Sequence, residues 1–412
     1  MSTAITRTSD LSFYERTVLS MLSKMDQGQL SITMPGGELI TLGNGGGGIS
    51  AAININNPDF FKRCVLYGDI GFGESYVDGD WDSHNITDVI KWFLLNVDNA
   101  PTVSGSNTRN FALNVLKFFN KLYHLKRSNS VNGSKKNISA HYDLNNDFFG
   151  LFLDPSMTYS SAYFKEEGMN LQQAQVEKYE RLCQQLKLKT TDHVLEIGSG
   201  WGGNAIHIAK NHGCKVTTVT ISEEQYKLAK ERVEKENLSH KVEVVLKDYR
   251  EIEGKFDKIV SIEMLEAVGH QFLEVYFRKC SELLKKDGIL AIQVITCPDS
   301  RYESLRTGVD WIQKHIFPGS LLPSVSAINR AINNTCDLTL VDLKDIGRDY
   351  AKTLTLWREQ FNKRIDEVKA LGFDETFVRK WNYYLCYCEA AFEMRNINTM
   401  QMVYSRPNNV NR

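Results

Sequence analysis

Four glycines set behind a glutamate are the sharpest chemical signal in the chain. Residues 193–203 read His-Val-Leu-Glu-Ile-Gly-Ser-Gly-Trp-Gly-Gly, an apolar strand that runs into glycines, with a helix beginning near Gly203. At Gly198 and Gly200 no side chain stands between the backbone and a ligand, so Gly198, Ser199 and Gly200 can form a close-fitting turn. Taken alone, such a strand–turn–helix could hold a dinucleotide or a phosphate. The spacing, however, is E-x-G-x-G-x-G and not the G-x-G-x-x-G of dinucleotide sites. Glu196 would repel a pyrophosphate and suits a ligand carrying cationic groups; the amine and sulfonium of S-adenosylmethionine are such groups. After the next strand, Thr220 and Gln225 stand where an acidic residue usually meets a ribose, and they offer neutral hydrogen-bonding groups instead. The same residues also read as a helix start, with Ser222 as the cap and Gln225 completing a capping box. Both roles can coexist.

A second chemical cluster follows the strand Lys258–Ile262, where Glu263 and Glu266 sit within one turn of each other. Glu266 alone could be an exposed residue at a helix start. Its place after a strand puts it at the C-terminal edge of a sheet, where open α/β sheets bind ligands. The sheet itself is read from apolar runs at 191–198, 215–221, 242–246, 258–262 and 288–296, separated by amphipathic helical stretches such as Glu223–Asn237. Strands alternating with helices imply an α/β fold, a parallel sheet with helices on both faces.

Upstream the pattern changes. Leu30–Met34 alternates apolar with polar before Pro35-Gly36-Gly37, and 57–66 is helical with Phe60, Phe61, Val65 and Leu66 on one face. Asn44 and the four glycines after it must be loop. A small α+β domain over residues 1–98 fits this pattern, followed by a connecting segment at 99–137 and a catalytic domain at 138–412. The stretch Asn99–Tyr142 has no acid, yet it holds Arg109, Lys117, Lys121, Lys126, Arg127, Lys135 and Lys136. Phe111, Val115, Phe118, Phe119 and Leu122 recur there at helical spacing, a pattern suited to an anionic membrane surface or, more blandly, to packing on the catalytic domain. Ser128–Ser139 reads as a polar linker.

Bulk properties narrow the function classes. At 412 residues the chain exceeds what one core usually organises, and a net charge of −1 gives no global attraction for nucleic acid. The first twenty residues lack the apolar run of a signal peptide, and no apolar run is long enough to span a bilayer. Eight scattered cysteines give no metal-site spacing and suit reduced thiols in a cytoplasmic protein.

Several stretches together resemble the bacterial cyclopropane fatty acid synthases and the related mycolic acid methyltransferases. They are His141–Phe149, Leu153–Ser160, the glycine motif, Glu263-Met-Leu-Glu-Ala-Val-Gly-His270, Ile316–Gly319 with Leu322–Ser324, and Asp349–Trp357. Gly68–Tyr76 and Asp78–Trp81 also look like the N-terminal, lipid-facing domain of the full-length synthases. The resemblance implies a Rossmann-like S-adenosylmethionine-dependent methyltransferase domain in which Tyr159 and Ser160 close over the cofactor. Gly198–Gly200, Thr220, Ile221, Gln225, Tyr249 and Arg250 would line the rest. It also implies bicarbonate beside the methyl group, held by Ser161, Glu266, Gln293, Ile295 and Tyr350. Two of these depart from the family pattern, in which Ser161 is often Cys and Gln293 often His. Cys388 matches a family cysteine once regarded as a nucleophile; no covalent step needs it, and it reads better as structural.

The implied reaction is methylene addition across a cis double bond of a phospholipid acyl chain at the inner face of a membrane. An alkene is a weak nucleophile and must be pressed against the sulfonium methyl in a dry site. The resulting carbocation would be stabilised by aromatic faces, for which Tyr159, Tyr163, Phe164, Tyr302, Trp311, Phe317 and Tyr350 are available. A base must then take a proton from the transferred methyl. His270 is not placed for this role, and a carboxylate could attack the cation to form an ester, so bicarbonate is the expected base. The same cation could instead end as a methyl- or methylene-branched chain. A soluble small-molecule methyltransferase and a non-catalytic lipid-binding protein are the readings of other classes, and a homodimer is compatible with all of them.

Overall fold

The computed structural model describes residues 11–46, 48–97 and 145–410. The basic stretch Asn99–Tyr142, with its apolar helical stripe and the Ser128–Ser139 linker, lies outside the described residues. The chain divides into two compact units.

The first unit combines the N-terminal region with 307–316 and 362–396, so segments far downstream complete a unit that the sequence reading closes near residue 98. Its sheet has the order β2-β1-β3-β4, with β1 at Gln29–Thr33, β2 at Leu39–Gly43, β3 at Ser50–Ile55 and β4 at Trp81–Asp82. β1 and β2 pair antiparallel around the expected Pro35-Gly36-Gly37 turn, and β1 runs parallel to β3. Alternation buries Leu30, Ile32, Ala51, Ile53 and Ile55 on one face. Helix α1 (Phe13–Leu22) starts at a Ser12/Glu15 capping box; α2 (Asp59–Val77) and α3 (Ile86–Leu95) pack with the late helix Glu375–Glu393. The expected helix at 57–66 is the first half of α2, which continues through a break at Gly68. Arg379 fastens the late helix, donating to the carbonyls of Tyr76 and Trp81 and to Asp82 while lying 4.2 Å from the centre of the Tyr76 ring.

The second unit is a seven-stranded sheet of order β10-β11-β9-β8-β5-β6-β7. β5 (His193–Ile197), β6 (Lys215–Thr220), β7 (Val242–Leu246), β8 (Phe256–Ile262) and β9 (Leu284–Thr296) are parallel, as expected. β10 (Thr339–Asp345) and β11 (Asn398–Ser405) add an antiparallel edge that the strand–helix alternation does not announce. Successive residues feed opposite faces: Leu195, Ile197 and Ile259 join one buried cluster, Val194 and Val260 the other. Helices α4 (Leu171–Leu186), α5 (Glu223–Lys235), α6 (Leu273–Leu283) and α7 (Gly347–Lys363, as far as Phe361) belong to this unit. The strand order turns back at β5, which has β6 on one side and β8 on the other. That reversal opens a ligand crevice at the carboxyl ends of β5 and β8.

Candidate active site

The glycine turn leaves β5 at this crevice. The N–H groups of Gly198 and Ser199 both donate to the Val219 carbonyl, at 3.0 and 2.9 Å. Gly198 has φ +95° and Gly200 φ +48°, conformations that L side chains resist. A Cβ on Gly200 would meet no protein atom within 4 Å, so this backbone faces open space in which a ligand can lie against it. Across from it, the side chain of Met264 lies 3.2 Å from where a Cβ on Gly198 would stand. Met264 follows Glu263 directly, and Glu266 lies two residues further on, so the segment that carries both carboxyls passes beside the turn.

Thr220 and Gln225 lie side by side and bond to each other, the Thr220 hydroxyl donating to Gln225 Oε1 at 2.8 Å. Ser222 caps α5 through the Gln225 N–H, but Gln225 does not complete a capping box, because the Ser222 N–H donates to Thr220 Oγ1 at 3.1 Å; Ile221 lies in the same loop. Arg250 is clamped by Asp248 at 2.7–2.9 Å and lies beside the rings of Tyr249 and Phe272. Glu196 differs from its expected role. Its two oxygens accept from Asn204 (2.8 Å) and Thr218 (2.5 Å), and burial pushes its carboxyl up to about 7 against the pull of those bonds. The side chain is buried, and both oxygens are taken by protein donors.

Tyr159 stacks on Trp357 at 5.2 Å and meets Phe149 edge-on at 5.1 Å, and Tyr350 also meets Trp357 edge-on. Of the other aromatic candidates, Tyr163 and Phe164 carry Lys344 and Lys352 over their faces, and Tyr302 accepts or donates a bond to His270. Trp311 belongs to the first unit, edge-on to Tyr383. Ser160 is held by a residue that the sequence reading missed. Lys178 on α4 is fully buried and donates to the Ser160 hydroxyl at 2.8 Å. Burial pulls its pKa down to about 7, against the charges of Glu263, Asp154 and Glu196.

The groups expected around bicarbonate do converge, but around another residue. The Ser161 N–H (2.9 Å) and Gln293 Nε2 (2.8 Å) donate to Glu263 Oε1, and the Tyr350 hydroxyl donates to Oε2 at 2.9 Å. The Ser161 hydroxyl turns away to the Ala162 carbonyl, so this residue contributes its backbone and not its side chain. Glu266 is not the partner of Tyr350. Its Oε1 accepts from the Ile295 N–H at 2.5 Å, while Oε2 is buried without a partner. Burial, then the charge of Glu263, raises the Glu266 carboxyl to about 8. Glu263 is raised by burial as well, opposed first by its bonds to Gln293 and Ser161. With these donors committed to Glu263, the residues present do not fit a bound bicarbonate.

Gln293 is oriented from behind. Its Oε1 accepts from Gln401 Nε2 (2.9 Å), whose own Oε1 accepts from Arg181 (2.7 Å), which is paired with Asp342. This chain of bonds runs from β9 to β11, where Gln401 is registered opposite Gln293. Cys388 lies in the first unit on Glu375–Glu393, and burial drives its thiol well above the usual range, the reverse of what a nucleophile needs. Among the described residues, Cys183, His207 and His212 bring metal-capable atoms within 4.8 Å of one another, with both imidazoles already on Glu180.

Comparison with known proteins agrees with this fold. The family model described as mycolic acid cyclopropane synthetase matches residues 129–402. The chain is 39% identical over 361 residues to the tuberculostearic acid methyltransferase of Mycobacterium tuberculosis, covering 85% of this chain and 82% of that protein. It is 38% identical over 361 residues to the cyclopropane-fatty-acyl-phospholipid synthase of Escherichia coli, covering 87% and 89% respectively. Among solved structures, the cyclopropane synthase MmaA2 from Mycobacterium tuberculosis aligns with a TM-score of 0.62 at 28% identity, over 66% of this chain and 98% of that one. The mycolic acid cyclopropane synthase CmaA1, complexed with SAH and CTAB, gives 0.61 at 28% identity over the same shares. With the switch-point crevice, the glycine turn and the polar cluster beside it, these likenesses place the chain in the mycolic acid cyclopropane synthetase family.

Proposed function

We propose that the protein is an S-adenosylmethionine-dependent C-methyltransferase that converts the cis double bond of an unsaturated phospholipid acyl chain into a cyclopropane. The observation that carries this reading is the contact of Met264 with the glycine turn, because Met264 follows directly on Glu263, whose buried carboxylate gathers Ser161, Gln293 and Tyr350. S-adenosylmethionine, when bound, supplies an electrophilic methyl on a sulfonium. Gly198–Gly200 would cradle it, with Thr220 and Gln225 toward its ribose and Tyr159 and Ser160 against it. The contacting rings of Tyr159, Trp357 and Tyr350 would exclude water and offer aromatic surface to a cation on the acyl chain. The carboxyl cluster then offers the base that such a cation requires.

A second reading ends the same cation as a methyl- or methylene-branched chain. It is favoured by the likeness to a protein named as a methyltransferase and not as a cyclopropane synthase. Proton NMR and mass spectrometry of lipids from cells expressing the chain separate the two. Upfield ring-methylene protons are expected; a lipid methylated without them establishes the branched ending, and unmodified lipid overturns both readings.

Among the described residues no helix is long and apolar enough to cross a membrane. Docking on an anionic surface through the basic segment Asn99–Tyr142 would bring the enzyme to its acyl chain.

A further inference from the structure

Glu263 is the residue immediately after β8, and its backbone lies at φ +50°. A side chain in this left-handed conformation costs roughly 1–2 kcal/mol, so something must hold it there. The Glu263 N–H donates to the Gln293 carbonyl at 2.7 Å, and the carboxylate takes the N–H of Ser161, the amide of Gln293 and the hydroxyl of Tyr350. Three convergent donors are what a small oxyanion would need, and here a carboxylate of the chain itself fills them. Gln293 cannot turn its amide away, because Gln401 occupies the other end. Resting on the acyl-chain reading above, we infer that Glu263 is the base of this enzyme and stands in for an exogenous bicarbonate.

The step balances without a further reactant. Once the acyl chain has received the methyl and carries the cation, Glu263 Oε2 removes one proton from that methyl. The freed C–H electron pair forms the second ring bond to the cationic carbon, and the proton stays on Glu263 until it passes to water. Ester formation, the hazard of a carboxylate near a cation, is opposed by geometry. Oε1 already accepts two hydrogen bonds and Oε2 one, so the carboxylate is fixed in plane and only Oε2 keeps a free direction. Glu266 does not add a second charge, since two adjacent buried carboxyls favour sharing one. The pair therefore presents a single negative charge to the cation, as bicarbonate would.

The test compares wild type, Glu263→Gly and Glu263→Gln on vesicles of monounsaturated phospholipid with S-adenosylmethionine. Each is assayed in carbonate-depleted buffer and after adding bicarbonate. Glycine adopts φ +50° freely, so Glu263→Gly should fold and leave the donors pointing at a gap. Wild-type turnover should change less than about twofold between buffers. Glu263→Gly should fall about 100-fold or more in depleted buffer, the usual weight of a general base, and recover at least tenfold with bicarbonate. Glu263→Gln, shape-matched but without a base, should stay low in both. Carbon-13 NMR of labelled bicarbonate should detect binding to Glu263→Gly and none to wild type. A wild type that stalls without bicarbonate, or a Glu263→Gln of full rate, overturns the inference. If no variant methylates lipid under any condition, the acyl-chain reading is at fault, and the labelled-bicarbonate contrast still decides whether Glu263 fills the anion site.

Discussion

Glu266 and Glu263 stand three residues apart, yet their surroundings divide the roles between them. Glu263 has three donors to favour its charge, whereas Glu266 has one strong donor, Ile295 N–H, and one oxygen buried without any partner. At neutral pH Glu266 therefore keeps its proton, its carboxyl being raised to about 8. Replacing it with the neutral isostere should do little to the chemistry: Glu266→Gln is expected to keep turnover within about tenfold, far less than the loss for a missing general base. Its stability signature is more telling. A folded-state pKa above the unfolded value of about 4.5 gives stability that is present below that value and lost as pH rises through about 8. Denaturant melts should show Glu266→Gln gaining on wild type from pH 6 to pH 9. A constant difference across that range would mean that Glu266 is already ionised at pH 6. From sequence, Glu266 stood out because it matches a family motif, while Glu263 was only its neighbour. The signal was present in an acid placed directly at a strand end, but its importance depends on a left-handed φ and on donors thirty or more residues away in sequence, which no local pattern reveals.

Two elements tune this cluster from outside it. Helix α4 buries Lys178 against Ser160, and the lysine's charge helps to ionise Glu263. Glu266, Glu196, Asp154 and Tyr350 are the other titratable groups around this pair. Removing the positive charge should leave Glu263 protonated to higher pH, so Lys178→Met should move the acid limb of kcat upward. The displacement should be greatest below about pH 7, where Lys178 carries its proton. An unmoved limb with unchanged kcat would reduce Lys178 to a support for Ser160. Strand β11 acts differently, through Gln401. Gln401→Leu strands Gln293 Oε1 without a donor and frees the amide to flip, so the Glu263 carboxylate loses a partner. A lost buried hydrogen bond of about 1–3 kcal/mol predicts roughly a tenfold or greater fall in kcat with cofactor affinity unchanged by calorimetry. Gln401→Glu, which can no longer donate when ionised, should fail likewise; full activity in both variants would show that Gln293 needs no orienting. β5, β6, β8 and β9 were legible as mostly buried runs set between helical stretches, and β7 as a short run rich in Val although it is half exposed. β10 and β11 were not: β10 is largely exposed, and β11 returns from the far end of the sequence after a helix that belongs to the other unit.

At the scale of the whole molecule, the first unit was legible only in part, since 307–316 and 362–396 join it from beyond the intervening stretch 125–306. The proposed substrate adds a requirement that neither unit states alone. A double bond lies deep in a bilayer, so an enzyme without a spanning helix among its described residues must dock at the surface and draw an acyl chain inward. The acid-free stretch Asn99–Tyr142 combines seven Lys and Arg residues with an apolar stripe, which together suit an anionic interface. Each basic residue near such a surface contributes about 1 kcal/mol at most, and screening over about 8 Å at physiological ionic strength weakens that. Replacing Lys117, Lys121, Lys126 and Arg127 by Gln should therefore reduce co-sedimentation with anionic vesicles by on the order of 10²–10³-fold at low salt, and much less at high salt. Cofactor affinity should stay unchanged, and KM for vesicles should rise while kcat on detergent-dispersed lipid holds. Binding that is equal for the variant and wild type at both salt concentrations would make this segment a packing element. Membrane recognition would then have to reside in the N-terminal unit or at the mouth of the crevice.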